Sequence, residues 1–439
     1  MGCQEFLHLK YLYFYIMLQV TFIRENQQLV IDRLAKRNID VRNAVTEILE
    51  IDDSRKATQR ELDEVLAESN RLSKEIGDLF KDGKRDEANS KKEATGELKD
   101  KSQALKEKLQ AVELKLEGLL HQIPNVPCSD VPLGKSSEEN EIVFEAGVIP
   151  ELGNDAVPHW ELTEKYGLID FDLGSKITGA GFPVYRGKGA KLQRALINFF
   201  LDEADKAGYA EIIPPLMVNA ESGFGTGQLP DKEGQMYFVN EDNLYLIPTA
   251  EVPITNIYRD VILKEEDFPV KMCGYTPCFR REAGSYGKDV RGLNRLHQFD
   301  KVEIVQIQHP SKSYATLDTM VEHVKGLLHK LELPYRVARL CGGDLGFTSA
   351  LTFDMEVYSA AQKRWLEVSS ISNFESFQAN RLKCRYKDAD GKTHLVHTLN
   401  GSALALPRIV ASLLENNQTP EGIRIPKALV PYTGFEIIN

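Results

Sequence analysis

The stretch CFRREAGSYGKDVRGLNRLHQFDKVE, residues 278–303, has the pattern of a strand, a long polar loop and a second strand. Arg280 and Glu282 are two residues apart, which predicts that they share one face of the first strand. Three side chains at the same spacing share one face of the predicted second strand: Phe299, Lys301 and Glu303. Because buried charges need partners, such a face predicts a pocket for a charged ligand. The alternative interpretation is a surface hairpin with solvated charges.

The loop between these strands, residues 283–295, is longer than a tight hairpin requires, and such loops are usually functional. The sequence Phe279-Arg280-Arg281-Glu282 resembles the Phe-Arg-x-Glu core of motif 2 in class II aminoacyl-tRNA synthetases. The flanks CFRREAG and HQFDKVE are similar to those of seryl-tRNA synthetases in particular. This resemblance extends from about residue 17 to the C-terminus. It implies an α+β fold, with a class II antiparallel sheet flanked by helices and preceded by an N-terminal antiparallel two-helix coiled-coil arm.

The composition is that of an ordinary globular protein of two or three domains, with 439 residues, 42% hydrophobic and 27% charged. A net charge of −11 argues against indiscriminate nucleic-acid binding but leaves a local basic surface open. The six cysteines form no CxxC pair, so no zinc site is expected. Cysteines scattered in this way favour a reducing, cytoplasmic location over a disulfide scaffold.

The first 16 residues, MGCQEFLHLKYLYFYI, have no counterpart in the pattern of the rest. They lack the basic start and the small-residue cleavage site of a signal peptide. The next residues, MLQVTFIREN from Met17, resemble the usual start of a seryl-tRNA synthetase. Residues 1–16 are therefore interpreted either as the result of a misassigned start codon or as an unusual extension without catalytic importance. No segment after residue 23 is apolar and long enough to span a membrane, and no membrane partner is expected.

A heptad pattern begins near residue 41, after a short amphipathic helix predicted over 20–38. The first series is Val41, Ala44, Ile48, Ile51, Arg55, Thr58, Leu62, Val65, Ser69, Leu72, Ile76 and Leu79. The second series, after a breaker at 81–84, is Leu98, Leu105, Leu109, Val112, Leu116 and Leu119. Two such helices joined by a Gly-containing turn predict an antiparallel hairpin about 55–60 Å long.

The heptads alone favour a dimerisation rod or a solvated helix pair, because the lysines near the tip are interleaved with acids. The resemblance implies instead that residues 17–122 form a helical arm that grips the long variable arm of tRNA(Ser). It also makes charging of tRNA(Sec) with serine plausible where the host has that tRNA. Residues 123–135 are rich in Pro and small polar residues and predict a linker. The remainder, 136–439, is then the class II catalytic domain.

The first part of that domain contains a predicted long helix, 190–207, which is followed by Gly208 as a helix stop and by the strand YAEIIPPLMV. Residues 208–217 resemble motif 1, with Pro215 as its proline, and imply a homodimer. The alternative is ordinary helix–strand packing. The three glycines after it predict a flexible loop: Gly223, Gly225 and Gly227.

The nucleotide site has no glycine-rich signature, because the chain contains no GxxxxGK[ST] and no GxGxxG that opens a helix. An ATP-using enzyme of this length must then hold the nucleotide in another way. The resemblance implies the class II mode, which uses arginines, metal ions and an aromatic stack on an antiparallel sheet. The resemblance assigns Arg280 to the α-phosphate and the serine carboxylate, as the catalytic arginine. The full predicted ATP set is Arg280, Arg281, Glu282, Arg295, Phe299, Glu367, Val368, Ser369, Ser370 and Arg408. Glu282 is expected to hold the adenine amino group and Phe299 to stack on the ring.

Motif 3 resembles TLNGSALALPRIVASLLEN, 398–416, and its helix is almost wholly apolar apart from Arg408. The alternative for this arginine is a buried ion pair; the resemblance favours the ATP γ-phosphate. In the strand WLEVSSISNF, alternation places Glu367 and Ser369 on one face, with Val368 and Ser370 on the other. The resemblance implies that Glu367 and Ser370 supply oxygen ligands to Mg²⁺.

The serine site is predicted from resemblance at Thr249, Ala250, Glu251, Arg280, Glu303 and Ser402. A carboxylate suits the ammonium of L-serine, and a pocket that bonds its hydroxyl rejects alanine. The alternative is that Thr249 only caps a helix whose first turn contains Glu251. One departure from the family is Gly342 in RLCGGDLGF, where threonine is usual; it puts only local loop contacts in doubt.

The sequence leaves three possible functions, of which two are enzymes and the third belongs to a different class. The first is a class II ligase that joins serine to tRNA through a seryl-adenylate, with ATP and Mg²⁺. The second is a paralogue that loads an amino acid onto a carrier and ignores tRNA, which the intact arm disfavours. The third is a non-catalytic RNA-binding or scaffold relative. The joint presence of Arg280, Glu282, Glu303, Glu367 and Arg408 argues against this last function.

Overall fold

The computed structural model describes residues 18–153, 156–231, 234–282 and 291–439. The extension predicted at 1–16, and residues 283–290 of the predicted motif 2 loop, lie outside these ranges. The chain divides into two compact units. The first holds the chain up to residue 35 together with 39–124, and the second holds 36–38 together with 125–439. No helix within the described ranges is long and apolar enough to cross a membrane.

The first unit is helical. Its helices are α1 (Val20–Glu25), α2 (Gln27–Ala35), α3 (Arg42–Lys81) and α4 (Arg85–Leu120). The prediction of a single helix over 20–38 is wrong, because the helix is interrupted at Asn26. The amide of Asn26 donates to the carbonyl of Phe22 at 3.0 Å, and its φ of −128° is not helical. Short polar side chains of this kind compete with the helical ladder for backbone groups.

Helices α3 and α4 form the predicted antiparallel hairpin. They have 40 and 36 residues, which corresponds to about 54–60 Å. Gly83 lies in the turn with a φ of +77°, as its predicted role as a breaker requires. The hairpin seam contains these packed side chains: Leu62, Val65, Leu66, Leu98, Leu105 and Leu109. Ion pairs of 2.9 Å join Glu47 to Lys115 and Glu61 to Lys101, and they fix the register of the two helices.

The base of α3 departs from the predicted heptad, because a second face is also covered there. Val45, Leu49 and Asp52 are buried, whereas the predicted Ala44 and Ile51 are only half-buried. Helix α1 packs on this second face, and Arg24 bonds Asp52 at 2.9 Å. Burial alone would raise the pKa of Asp52, but hydrogen bonds from lysine and arginine side chains hold it below its usual value. A heptad pattern predicts contact between two helices only, so it does not predict that α1 also packs on α3.

The second unit is α+β. Its strands are β1 (Glu141–Ala146), β2 (Ile169–Asp170), β3 (Val184–Tyr185), β4 (Ala210–Glu211), β5 (Met217–Val218), β6 (Phe238–Val239), β7 (Leu244–Leu246), β8 (Ile262–Lys264), β9 (Val270–Phe279), β10 (Gln298–Gln308), β11 (Tyr335–Arg339), β12 (Leu351–Ser359), β13 (Arg364–Asn373), β14 (Arg385–Lys387), β15 (Thr393–Leu395), β16 (His397–Ala405), β17 (Gln418–Thr419), β18 (Gly422–Arg424) and β19 (Ile437–Ile438). Its helices are α5 (His159–Lys165), α6 (Phe171–Ile177), α7 (Gly187–Lys206), α8 (Ala220–Thr226), α9 (Glu251–Asn256), α10 (Ser313–Lys330), α11 (Phe377–Leu382), α12 (Leu406–Asn416) and α13 (Val430–Thr433).

The main sheet organises this unit. Among the described residues it has eight strands in the order β1-β11-β12-β13-β16-β10-β9-β4, antiparallel except where β4 runs parallel to β9. Helices α7, α10 and α12 cover it, and their apolar stripes join one hydrophobic core with the inner strands. The predicted antiparallel sheet flanked by helices, after a two-helix arm, is confirmed.

Motif 1 is less regular than predicted. Helix α7 ends at Lys206, and Gly208 follows with a φ of +81°, as predicted for a helix stop. The single strand predicted after it is wrong: only β4 and β5 form, in two different sheets. Pro214 and Pro215 lie between them and have no N–H to donate to a ladder. The predicted flexible loop is wrong as well, because Gly223 and Gly225 lie within α8, which is capped by the side chain of Asn219.

The predicted linker 123–135 has no helix or strand, but its second part packs tightly in the second unit. The amide of Asn125 donates to the carbonyls of Thr348 at 2.9 Å and Phe374 at 2.8 Å. Arg37, in the same unit, donates to the carbonyls of Asn125 and Leu345. Burial lowers its pKa to about 10. The segment is therefore structural, and not a solvated tether.

Candidate active site in the second unit

The hairpin β9–β10 carries the first predicted site residues. Strand β9 ends at Phe279, and Glu282 has a φ of +48°, so the prediction that Arg280 and Glu282 share a strand face is wrong. The backbone turns there and brings Glu282 to Arg295 across the hairpin, with Nη1 of Arg295 at 2.9 Å from Oε2. The guanidinium of Arg280 lies 5.3 Å from the ring centroid of Phe299. Predicted motif 2 residues from both sides of the hairpin therefore meet.

A cavity of about 930 Å³ opens on the strands β11, β12 and β13. Four predicted ATP or metal residues line it: Arg295, Glu367, Ser370 and Arg408. Arg408 donates to the carbonyls of Asn294 at 3.2 Å and Glu367 at 2.6 Å, and its guanidinium lies 3.8 Å from the carboxylate of Glu367. It is half-buried beside this opening and not enclosed in an apolar core. An arginine in this position is available to a ligand in the cavity.

A β-bulge at Val368 changes the predicted face of strand β13. Met355 pairs with Ser369 but Glu356 pairs with Glu367, so Val368 is an extra residue on this strand. Strict alternation predicted that Glu367 and Ser370 lie on opposite faces, and this is wrong. Both line the cavity, while Ser369 is buried and donates to the carbonyl of Ser402 at 2.5 Å. The bulge thus brings together the pair expected to bind a metal.

Asp354, on the neighbouring strand β12, was missed by the sequence reasoning. It lines the cavity and lies opposite Ser370 in the ladder. One of its oxygens, Oδ1, is buried without a hydrogen-bond partner. Burial, and then the charge of Glu367, raise its pKa well above the usual value. An unpartnered buried carboxylate oxygen of this kind is a place for a cation.

A second cluster contains the predicted serine residues. The hydroxyl of Thr249 accepts from Nζ of Lys301 at 2.8 Å and donates to Oε2 of Glu303 at 3.1 Å. These three side chains are buried. Ser402 lies directly opposite Glu303 in the ladder of β10 with β16. The predicted helix-cap role of Thr249 is therefore too narrow, since its hydroxyl also takes part in a buried charge network.

Glu251, at the start of α9, is the second carboxylate of this cluster. It accepts from the amide of Gln378 at 2.7 Å. Burial, followed by the nearby charge of Glu303, raises its pKa to about 7. Two buried carboxyl groups therefore lie near one described lysine, Lys301, and the cluster has an excess of acidic groups. This charge balance suits a ligand that brings an ammonium group.

Three predicted site residues make no side-chain contact with these clusters. Ala250 and Val368 belong to hydrophobic cores, and the guanidinium of Arg281 lies 5.8 Å from the ring centroid of Tyr237. Several further residues, to which the sequence assigned no ligand, belong to the two sites: Lys301, Gln378, Asp354, Arg336 and Arg364. Lys301 had been predicted only to share the pocket face of its strand. Lys301 had a signal in the sequence, two residues before Glu303, whereas the others require the sheet order.

An antiparallel sheet with the pair Arg280 and Phe299, and with Arg408 on the helix that follows strand β16, is the arrangement of a class II aminoacyl-tRNA synthetase. Residues 237–417 match the family model described as tRNA synthetase class II core domain (G, H, P, S and T). Residues 17–127 match the model described as seryl-tRNA synthetase N-terminal domain. The chain belongs to the seryl-tRNA synthetase family.

Relatives match along nearly the whole chain. The serine--tRNA ligase of Salinibacter ruber is 52% identical over 425 residues, which is 96% of this chain and 99% of that protein. The serine--tRNA ligase of Akkermansia muciniphila is 47% identical over 425 residues, which is again 96% of this chain and 99% of that protein. A crystal structure of seryl-tRNA synthetase from Pyrococcus horikoshii complexed with ATP has a TM-score of 0.85 at 34% identity, covering 96% of this chain and 99% of that one.

Proposed function

We propose that this chain attaches L-serine to tRNA(Ser) in two steps. A carboxylate oxygen of serine attacks the α-phosphorus of ATP, forms seryl-adenylate and releases pyrophosphate. A terminal ribose hydroxyl of the tRNA then attacks the carbonyl carbon, forms the ester and releases AMP. The observation that carries this proposal is the buried pair Glu251 and Glu303 near Lys301, on the same sheet as the arginine-lined cavity.

The cavity suits a polyanion bound together with a cation, because four arginines and five acidic residues line it. Arg295, Arg336, Arg364 and Arg408 line it, and guanidinium groups form paired hydrogen bonds to phosphate oxygens. Arg280, near the serine cluster, has its Nε donating to the carbonyl of Pro248 at 3.3 Å. We infer that it binds both the serine carboxylate and the α-phosphate, where negative charge grows in the transition state. Glu282 and Phe299 are proposed to hold the adenine.

Magnesium fits the same cavity. The unpartnered Oδ1 of Asp354 adds an oxygen beside Ser370 and Glu367, and Mg²⁺ prefers one or two protein oxygens beside phosphates and water. Glu367 and Ser370 would hold the ion. When bound, it would offset the charge of the phosphates.

The remaining assignments follow the same proposal. Residues 17–122 are the tRNA-binding arm, 123–135 lead from it, and 136–439 form the catalytic domain, active in the cytoplasm. We propose a homodimer, because Ile213 and Val148 are 88% and 87% exposed, which is unusual for large apolar side chains. A tRNA with the same long variable arm, tRNA(Sec), is a second candidate substrate.

The decisive experiment measures two activities of the purified chain. Serine-dependent exchange of pyrophosphate into ATP tests the first step, and charging of tRNA(Ser) tests the second. Exchange without charging of any tRNA would favour a carrier ligase. The absence of both activities would favour a non-catalytic scaffold. Exchange that responds to alanine or threonine as strongly as to serine would reject the serine assignment.

A further inference from the structure

A buried polar network connects helix α5 with helix α12 and with the C-terminal end of the motif 2 loop. Its centre is Glu415, near the end of α12, which is completely buried. His159, the first residue of α5, is completely buried as well. Neither residue lines the cavity or contacts the serine cluster, and the two-step reaction assigns them no role.

Glu415 is a fully satisfied carboxylate, and none of its hydrogen-bond partners among the described residues is a lysine or an arginine. Its Oε1 accepts from the backbone N–H of His159 at 2.9 Å, from Nδ1 of His159 at 2.7 Å and from the amide of Gln362 at 3.0 Å. Its Oε2 accepts from the hydroxyl of Ser359. Burial alone would raise its pKa, but these hydrogen bonds, chiefly from His159, hold the pKa below its usual value.

The ring of His159 is therefore fixed in one tautomer. Nδ1 carries the proton and donates to Glu415, and Nε2 accepts from the backbone N–H of Leu293 at 2.9 Å. Gly292 lies directly against this ring: a Cβ there would be 2.3 Å from Nε2, and its φ of +67° is unfavourable for other residues. The next residue of α5, Trp160, stacks under the guanidinium of Arg291 at 4.8 Å. Two side chains of α5 thus hold residues 291–293.

The network continues to the cavity through Gln362. The oxygen of its amide accepts from Asn294 at 3.1 Å and from Nε of Arg364 at 3.2 Å. The carbonyl of Asn294 accepts from Arg408. Asn294, Arg364 and Arg408 all line the cavity, and so does Arg295, the residue after Asn294.

We propose that His159 and Glu415 are positioning residues for ATP: they fix the backbone at Leu293 and thereby place Arg295, Arg364 and Arg408 around the phosphates. The proposal rests on the proposed function of the cavity. It predicts that the hydrogen bond from Leu293 to Nε2 matters for ATP more than for serine, because the hydrogen bonds described above lead to residues that line the cavity and not to the serine residues Thr249, Glu251 and Glu303. Small displacements of charged groups at such sites weaken binding strongly, because the arginines must contact the phosphates in one geometry.

Two substitutions separate the two sides of the ring. His159→Asn keeps a donor near Nδ1 for Glu415 but has no acceptor for Leu293. His159→Gln has an acceptor near Nε2 but no donor near Nδ1. His323→Asn, on α10 and away from the cavity, is the matched control. For each full-length variant we would measure the Kd of a non-hydrolysable ATP analogue, the KM values for ATP and serine in exchange, thermal stability, and hydrogen exchange of the Leu293 amide.

We expect His159→Asn to lose protection at Leu293 and to weaken ATP about 10- to 100-fold, with little change in the KM for serine. His159→Gln should keep more of the ATP affinity than His159→Asn, yet be the less stable of the two, because Glu415 loses a donor. If ATP affinity instead follows stability through both variants, or if Leu293 stays protected in His159→Asn, the proposal is overturned.

If neither His159 variant folds, Gln362→Met decides, because this half-buried residue carries the link to Asn294 and Arg364. Unchanged ATP affinity in that variant would overturn the proposal. ATP binding and hydrogen exchange do not require serine or tRNA. Wild-type protein that binds ATP but shows no serine-dependent exchange would therefore reject the proposed function and leave these measurements to decide on the network.

Discussion

The Nζ atom of Lys301 lies 2.5 Å from Oε2 of Glu303, with both side chains buried. Removing one partner of a buried ion pair leaves an uncompensated charge. We therefore expect Lys301→Met to lower the free energy of unfolding by about 3–5 kcal/mol. The double variant Lys301→Met, Glu303→Gln should recover most of this loss, because the stranded carboxylate is gone. Chemical unfolding of both proteins measures the difference. Equal losses in the two variants would mean that packing, and not charge, sets the effect.

Serine binding should depend on pH through Glu251. Burial raises its pKa to about 7, so the free protein carries a proton there below neutral pH. The ammonium of serine favours the ionised carboxylate, and the proton must leave when serine binds. The KM for serine should therefore rise as the pH falls from about 8 to about 6, by up to about tenfold per pH unit below the pKa.

Glu251→Gln is the matched control for this pH dependence. It keeps the shape of the side chain but has no proton to exchange near neutral pH, so its KM for serine should be higher and nearly flat over the same range. A wild-type KM for serine that does not change over this range would move the ammonium site away from Glu251.

Arg280→Ala should abolish adenylate formation. Its guanidinium packs over Phe299 at 5.3 Å and lies near the serine cluster. Loss of a preorganised donor of this kind typically costs about 10²–10³ in rate. The exchange assay measures it, with Arg385→Ala on β14 as the control for loss of one surface cation. An exchange rate within about tenfold of wild type would reject the role of Arg280.

Patterns with a long period were predictable from the sequence. The heptads gave the helix pair α3 and α4 with its turn at Gly83, and Gly208 marked the end of α7. These features depend on local geometry: the spacing of apolar residues and a backbone that needs a positive φ. The serine cluster and the arginine Arg408 were found only through resemblance, because their partners come from strands far apart in the chain.

Features that depend on pairing between strands were predicted wrongly or missed. Alternation put Glu367 and Ser370 on opposite faces, since a bulge at Val368 has no sequence signature. No pattern in the sequence marks Asp354, in a strand, or Glu415, near the end of an apolar helix, as a buried residue. Their burial becomes apparent only when β12 and β13 are placed side by side and α12 is packed against α5.

The arm should act on tRNA and not on amino-acid activation. Helices α3 and α4 make a hairpin about 54–60 Å long whose residues beyond the seam are mostly exposed, and a folded RNA is recognised largely by shape and backbone. Replacing residues 55–106 by a short turn keeps the pair Glu47–Lys115 at the base. Serine-dependent exchange should survive, because motifs 1 to 3 lie in the second unit, while aminoacylation should fall through weaker tRNA binding with a smaller salt dependence.

A milder variant removes residues 76–90 and cuts the hairpin beside the paired Glu75 and Lys91. Its aminoacylation should lie between that of the wild type and that of the variant that lacks residues 55–106. If exchange and aminoacylation fall together, the arm serves folding or dimerisation; if neither falls, the hairpin has another partner.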